Sequence, residues 1–400
     1  MQHPSIKGLG LRKRPPFSGR RPMDWLPERL VHLREMAYAV AAEPFRGITA
    51  DGQVRADLFP LAPTGCPTQP IMHAAQAYLD SLDDHQRDRA QLAVDAAEWM
   101  TWSNISPFVM RHGVLLETLS EPQRQAALGV IEASLSASGY QTTRDAMRLN
   151  ETIGEITGAW DEYGEWVYWL TIFGAPSPDQ PWGWQLDGHH CNLNCFIAGD
   201  QLVLTPAFLG AEPVYAESGK YAGTRVFEPE EQRGLEVIRS LSAEQQARAI
   251  AARRDSGNLP PGRLQPNQEH VQAGAQQDNI QLPYEGIRFD DMDAAGQAAL
   301  LRLIQVYVGR LRTGHDQVKM DQVCAHLDET YFLWYGDTTD ESAFYYRIHS
   351  PVLLIEFDHQ SGVAFDNDTP SRVHVHTVVR TPNGNDYGKD LLRQHYARFH

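Results

Sequence analysis

The short motifs that mark several large enzyme classes are missing from this chain. It has no HExxH metalloprotease motif, no GxSxG nucleophile elbow, no Walker A loop and no GxGxxG dinucleotide-binding fingerprint. Each of these motifs supplies a specific device, such as a pair of helical zinc ligands or a loop that holds phosphates. The sequence therefore gives no support for nucleotide hydrolysis or for nicotinamide-dependent redox chemistry.

Long apolar runs are also missing. No stretch is apolar over the roughly 18 residues that a transmembrane helix needs. Residues 1–24 are basic but lack the apolar core of a secretory signal peptide, so we interpret them as a flexible basic N-terminal arm. These absences predict a soluble cytoplasmic protein that does not interact with membranes.

Cysteine is scarce, and basic residues are outnumbered by acidic ones. Cys191 and Cys195 are two of only four cysteines, and their spacing on a predicted strand is too long for a comfortable disulfide. We therefore expect reduced, buried thiols. The net charge of -16 argues against a nucleic acid or an anionic membrane as partner. The expected partner is a small-molecule substrate, and self-association into a homo-oligomer stays open.

The apolar pattern divides the chain into a mainly helical part and a part that mixes strands with helices. Residues 25–164 carry mainly the three-to-four spacing of amphipathic helices. From Glu165 onward, aromatic and β-branched runs favour strands, and 182–197 is predicted as one long strand. Two blocks of strands separated by helices predict an α+β fold with a mainly antiparallel sheet, in a single integrated domain over 25–400.

Four further boundaries follow from local signals. Apolar spacing predicts single helices over 85–102 and 228–252. Polar residues and glycine predict a loop over 210–225. The richness of 254–286 in Pro, Gly, Gln and Asn predicts an exposed loop or lid.

Two pairs of histidines lie on predicted strands. His189 and His190 belong to Pro181–Gly210, and His374 and His376 belong to the segment RVHVHTVVR. Histidines at positions i and i+2 of a strand present both imidazoles on one face, and imidazole is a ligand for zinc, copper, iron and nickel. We therefore predict one divalent metal site that uses His189 or His190 with His374 and His376. Zinc is favoured, and iron, copper and manganese are the alternatives.

Other polar residues on these strands are candidates for contact with the substrate. Asn192 and Asn194 follow His190 at alternate positions, so their amides are predicted to share its face and to bind substrate. His349, at the end of another predicted strand, is a third candidate for substrate binding.

A carboxylate and two arginines complete the predicted site. Glu356 lies within an apolar strand, where a buried carboxylate is costly unless it is paired or binds a metal. It is the candidate third ligand or general base. Arg347 and Arg380 match the bidentate geometry of a substrate carboxylate or phosphate. The alternative is that Glu356 only forms an ion pair with one of these arginines.

Three segments of the sequence carry a resemblance to a known family. They are WGWQLDGHHCNLNCFIAGDQLVLTPAFLGAEP, YYRIHSPVLLIEFD and HVHTVVRTPNGNDYGKDLL. Their order and content resemble the domain-of-unknown-function 3500 family from about residue 30 to residue 395. The family usually has an apolar residue and then Ser after the two histidines, where this chain has Cys191 and Asn192. The resemblance implies one integrated unit and no defined activity.

Three hypotheses for function follow. The first is a metal-dependent hydrolase or lyase for a small organic molecule, in which Glu356 or a metal-bound hydroxide acts on the substrate. The second is a copper or non-haem iron oxidoreductase that uses the same histidines. The third is a non-catalytic binding protein whose histidines are structural.

Overall fold

The computed structural model describes residues 3–13, 28–104, 112–251 and 271–399. Within these ranges, twelve strands form one mixed sheet and ten α-helices pack around it. All strand pairs are antiparallel except the short parallel pair formed by 91–92 and 172–173. The predicted α+β class with a mainly antiparallel sheet is confirmed.

The strands are numbered along the chain. They are β1 (Gln91–Leu92), β2 (Val114–Leu115), β3 (Tyr168–Phe173), β4 (Trp182–Gly188), β5 (Cys191–Ala198), β6 (Gln201–Val203), β7 (Ala207–Ala211), β8 (Ile287–Arg288), β9 (Tyr331–Gly336), β10 (Phe344–His349), β11 (Leu354–His359) and β12 (Val375–Arg380). Their order in the sheet is β1-β3-β4-β5-β7-β12-β11-β10-β9-β8, and β2 and β6 pair with β3 and β5 respectively. The central strands are thus β5, β7, β12 and β11.

The helices fall mainly before β3 and between β7 and β9. They are α1 (Glu28–Ala41), α2 (Gln69–Ser81), α3 (Asp84–Ala90), α4 (Glu121–Ser134), α5 (Ala137–Thr157), α6 (Glu228–Ser240), α7 (Ala243–Ala249), α8 (Ala294–Val308), α9 (His315–Cys324) and α10 (Lys389–Phe399). None of the helices in the described part of the chain combines the length and apolar character needed to cross a bilayer.

The two faces of the sheet differ in chemistry, although both are buried. One face is apolar and packs against α2, α4, α5, α6 and α8 in a large core that includes Leu193, Leu209 and Phe357. Alternate residues of the same strands form a second face. It mixes Phe208 and Val378 with polar side chains that have no exposed area, namely Gln185, Asn192, Asn194, Glu356 and Arg380. Because buried polar groups cost free energy unless they are partnered, the second face is where a functional site is expected.

The histidine segment forms a hairpin instead of the single long strand predicted over 182–197. β4 and β5 are antiparallel neighbours joined by the two residues His189 and His190, with Leu186 paired to Leu193. His190 has a φ of 62°, which lies in the left-handed region. The turn places the first histidine pair at one end of the sheet.

A strand that the sequence did not predict lies beside both histidine segments. β7 begins before the segment 210–225 that was interpreted as a loop and includes its first two residues, and it pairs with both β5 and β12. Val271, Ala273 and Ile280, from the predicted exposed loop over 254–286, instead pack with Phe208 on the second face of the sheet. Residues 254–270 lie outside the described part of the chain.

Two predicted helices are shorter than expected. The helix predicted over 85–102 ends at Ala90, because the next two residues form β1 beside β3. The helix predicted over 228–252 is divided into α6 and α7, because Ser242 caps a new helix with a capping box. Both differences are cases in which a local cap or a tertiary strand pairing overrides apolar spacing.

The predicted N-terminal arm is described only over residues 3–13. There, Gly10 donates its backbone N–H to Asp366, and Leu11 forms a bridge with Phe365. Ser5 donates its hydroxyl to Glu217 at 2.6 Å. This part of the arm therefore lies against the loops that follow β7 and β11, while residues 14–24 lie outside the described part of the chain.

Candidate metal centre

Four central strands bring polar side chains together at one end of the sheet. His190 immediately precedes β5, Gly210 is near the end of β7, and His376 is the second residue of β12. Gly210 pairs directly with His376, and its N–H bonds to the His190 carbonyl. Asp358, near the end of β11, pairs with His376 from the other side. One row across the sheet therefore runs from His190 through Gly210 and His376 to Asp358.

Three imidazoles converge on one point. The Nε2 atoms of His374 and His376 are 3.0 Å apart, and those of His376 and His190 are 3.2 Å apart. The Nε2 atoms of His374 and His190 are 3.3 Å apart. Among the described residues, these three form the one group of histidine, cysteine, aspartate or glutamate with the spacing of a metal-ion site. The predicted proximity of the two histidine pairs is confirmed.

Gly210 makes this convergence sterically possible. A Cβ on Gly210 would lie 2.9 Å from Cδ2 of His376 and 3.0 Å from Cδ2 of His190. Real Cβ atoms rarely approach neighbours this closely, because interiors are already packed at van der Waals distances. A glycine between the two strands therefore leaves the space that both rings occupy.

Hydrogen bonds among the three rings account for only part of the arrangement. Nδ1 of His374 is 2.7 Å from the Ser361 carbonyl, so it carries the proton and Nε2 presents a lone pair. Only one other ring can direct an N–H at that lone pair with good geometry, since an imidazole N–H points along its own ring plane. At least one of the three contacts therefore lacks a hydrogen bond, whereas a cation at the centre would bind the Nε2 lone pairs of all three rings in their Nδ1-protonated forms.

Burial favours the uncharged form of two of the three rings. Desolvation, and then the neighbouring imidazoles, lower the pKa of His190 and His376 well below the usual histidine value. A neutral imidazole is the form that binds a metal ion. The side chains of this cluster are at most 5% exposed, so an ion held there would be largely shielded from water.

The distances fit a transition-metal ion. Zn–N bonds of about 2.0–2.1 Å in tetrahedral geometry separate nitrogen ligands by about 3.3 Å. The three Nε2 separations of 3.0–3.3 Å are close to that value. The cluster can therefore hold one ion with three nitrogens and leave further positions for water or substrate.

The comparison with protein-family models adds an independent result. A family described as "Protein of unknown function (DUF3500)" matches residues 64–389, which is most of the chain. The chain belongs to the DUF3500 family. Searches of curated proteins and of solved structures find no match. The resemblance noted in the sequence is confirmed, and the chemistry of this DUF3500 protein has to be argued from its own residues.

His189 lies beside the three-histidine cluster of the DUF3500 protein and is not part of it. Its ring stacks on that of His190 with centroids 3.9 Å apart, and its Nδ1 is 2.8 Å from Oδ1 of Asn150. Asn150 in turn donates to the Gly164 carbonyl. Asn150 on α5 therefore holds the His189 ring, and the His189 ring in turn positions the His190 ring by stacking on it. Of the two adjacent histidines, His190 is the one that belongs to the cluster.

Acidic side chains surround the cluster without entering it. Glu212 has Oε2 3.8 Å from Nδ1 of His374 and accepts backbone N–H groups from the loop 363–365. Asp358 accepts a hydrogen bond from the side chain of Gln360, whose backbone N–H bonds the His374 carbonyl. Such contacts fix the orientation of metal-ligating imidazoles. The nearby carboxylates would also offset the charge of a divalent ion.

Asp187 is a site residue that the sequence interpretation did not identify. Its Oδ1 accepts hydrogen bonds from the Ser103 N–H at 3.0 Å and from the Asn192 side chain. Its Oδ2 is buried and has no hydrogen-bond partner among the described residues. Burial raises the pKa of Asp187 to about 7. Its partner Asn192 pairs with Phe208, one row from the pair formed by Gly210 and His376, and strand spacing puts the two rows about 7 Å apart.

Glu356 and Arg347 lie on the same face but outside the three-histidine cluster. The Glu356 carboxylate accepts hydrogen bonds from the Tyr345 hydroxyl at 2.7 Å and from the backbone N–H of Ala273 at 2.8 Å. Arg347, which pairs with Glu356 across the strands, bonds Glu285 at 2.7 Å. Desolvation raises the pKa of Glu356. The carboxylate is thus held by the segment that covers this face.

The remaining predicted contact residues lie farther along the sheet. Arg380 is four residues beyond His376, about 13 Å along the strand, and pairs with Asp278 at 3.0 Å. The Asn194 amide bonds Gln185 and the Pro206 carbonyl. His349 packs against the Tyr284 ring with centroids 4.6 Å apart. The structure therefore brings three predicted metal ligands together and places Asn192 next to them. The side chains of Arg380, Asn194 and His349 lie elsewhere on the sheet.

Proposed function

We propose that this DUF3500 protein is a zinc-dependent hydrolase or lyase that acts on a small organic molecule. The observation that supports it most is the convergence of three imidazole nitrogens within 3.0–3.3 Å. Catalytic zinc sites have three protein ligands and an open position for water or substrate, whereas structural zinc sites have four. Zinc in such a site lowers the pKa of a bound water to about 7.

The donor set favours zinc over non-haem iron. Iron oxygenases commonly use two histidines and one carboxylate on one face of the metal. The cluster formed by His190, His374 and His376 contains no carboxylate among the described residues. Copper also accepts imidazole ligands, so a copper oxidoreductase is the alternative that metal analysis decides.

Asp187 is the proposed proton carrier. A carboxyl whose pKa lies near the working pH takes and returns protons efficiently, and the pKa of Asp187 is raised to about 7. Asn192 and the Ser103 N–H hold one carboxyl oxygen, which leaves Oδ2 for the reacting groups. In this proposal Asp187 takes a proton from the attacking water and returns it to the leaving group.

Elemental analysis of protein purified without a histidine tag tests the metal site. We expect about one zinc per chain in the wild type and none in His376→Ala. His395→Ala is the matched control, because His395 is also buried but lies in α10 away from the cluster. Full metal content in His376→Ala contradicts the site, and iron or copper in place of zinc favours the oxidoreductase.

Activity on a panel of small esters, amides and lactones tests the reaction class. We expect hydrolysis by the zinc-loaded protein and loss of hydrolysis after chelation. Asp187→Asn should keep its zinc and lower kcat by about 100-fold or more, the usual contribution of general acid–base catalysis. Unchanged kcat in a zinc-loaded Asp187→Asn protein rules out its role as proton carrier.

A further inference from the structure

A cavity lies on the opposite face of the sheet from the three-histidine cluster. It lies between the sheet and helices α8 and α9 and is open to solvent on one side, and the cavity and its mouth together have about 950 Å³ of empty volume. Leu193, Leu209 and Val379 form its floor, and they alternate along their strands with Asn192, Gly210 and Val378 of the other face. The cavity is therefore separate from the metal centre and apolar in its interior.

Lys319 supplies a cation at the wall of this cavity. Its Nζ donates to the Val352 carbonyl at 2.8 Å, and no carboxylate among the described residues forms an ion pair with it. Arg310, which also lines the cavity, is already paired with Glu230. Asp386 acts on Lys319 only at longer range and lies beside Arg380. Lys319 is thus a half-buried ammonium group that lacks a counter-ion.

His315 is a second polar residue at this cavity, and its buried Nε2 is a further indication that the cavity binds a ligand. It begins α9, lines the cavity and is only 3% exposed. Its Nε2 has no hydrogen-bond partner among the described residues. A buried polar atom without a partner costs free energy, which a polar ligand group in the cavity would recover. Lys319 lies four residues along the same helix, so both side chains project from one face of α9.

We propose that this cavity binds a small carboxylic acid with an unbranched acyl chain. The ligand carboxylate pairs with Lys319 and bonds His315, and the acyl chain lies against Leu193, Leu209 and Val379. Apolar walls with a few polar groups at one side are the usual construction of a small-molecule site. A carboxylate also supplies the negative charge that the described residues do not give to Lys319.

Calorimetric titration of the full-length protein with decanoate and with 1-decanol tests this assignment. The two probes have equal chain length, and only decanoate carries the charge. We expect saturable binding of decanoate that is at least tenfold tighter than that of decanol. Lys319→Met should remove this preference and leave decanol binding unchanged, while Arg302→Met, on the exposed side of α8, should change neither.

The pH dependence gives a second readout that does not require a charge-removing variant. Burial lowers the pKa of Lys319 to about 8, so the wild type should lose affinity for decanoate as the pH rises from 7 to 9. Lys319→Arg should keep its affinity over the same range, because arginine remains protonated. Equal affinities for decanoate and decanol, no binding of either probe, or a pH response that persists in Lys319→Arg would each overturn the assignment.

Discussion

His190 and His376 face each other across Gly210, with their Nε2 atoms 3.2 Å apart. The glycine belongs to β7, pairs directly with His376 and bonds the His190 carbonyl through its N–H. Two strands that are distant in sequence therefore reach the same point through a third strand that contributes space and backbone only. The proposed metal centre depends on this gap as much as on its ligands.

Gly210→Ala should weaken metal binding without unfolding the protein. The added methyl group would lie 2.9–3.0 Å from both ring carbons and 2.9 Å from the Val375 carbonyl oxygen, so the two imidazoles and the start of β12 cannot all keep their positions. We expect zinc affinity, measured by competition with a chelator, to fall by at least tenfold. Gly129→Ala is the control, because a Cβ there meets open space on α4. That control should keep zinc and gain up to about 1 kcal/mol of stability.

His189→Ala and His190→Ala should have different effects on metal content. His190 contributes an Nε2 to the cluster, whereas His189 stacks on His190 and bonds Asn150. We expect zinc to be lost from His190→Ala and retained by His189→Ala with roughly tenfold to 100-fold lower affinity, the usual cost of losing a supporting contact. Elemental analysis of both proteins checks this, and the reverse pattern would reassign the ligand.

Asp187 should make the protein less stable as the pH rises through the acidic range. Its pKa is raised from 3.8 to about 7 on folding, so between these values the folded state binds more protons than the unfolded state. Its contribution to the free energy of unfolding is fully favourable below about pH 4 and is lost by about pH 7. In Asp187→Asn this contribution is absent. Denaturant melts of metal-free protein at pH 5 and pH 8 should show the corresponding difference in slope, and parallel curves would contradict it.

Arg372→Ala should destabilise the protein strongly. Arg372 forms a buried ion pair with Glu231, which also lies 3.2 Å from Nε2 of His359 next to Asp358. Removal of the arginine leaves a buried carboxylate short of its main partner, at a cost of about 3–5 kcal/mol. Arg302→Ala removes an exposed partner of Glu236 and should cost less than about 1 kcal/mol. Urea unfolding of both variants measures the contrast.

The sequence predicted the broad fold class and the meeting of the two histidine pairs. Alternation placed His374 and His376 on one face of a strand, and His190 joined them as expected. These inferences succeeded because they depend on strand periodicity, which is a property of the backbone. The adjacency of His189 and His190 hid which one is the ligand, since the two-residue turn that they form contains no glycine or asparagine to mark it.

Other parts of the site depend on contacts that no local pattern contains. β7 was not predicted, because the run AFLGA is short and includes a glycine, which is unfavourable in strands. That same glycine is required where the imidazoles meet. Asp187 was given no role from the sequence, where it lay within the strand predicted over 182–197. Its raised pKa comes from burial within the folded chain, beside a backbone N–H of Ser103 that lies 84 positions away in sequence.

The central position of β7 has a mechanical consequence. Strands β1–β6 come from residues 91–203 and β8–β12 from residues 287–380, and within the described sheet the two sets meet only through the five residues of β7. His190 lies on one side of this seam, and His374 and His376 lie on the other. A bound ion would link the two sets of strands directly. Separating them would then require breaking metal–nitrogen bonds as well as the few backbone hydrogen bonds of β7.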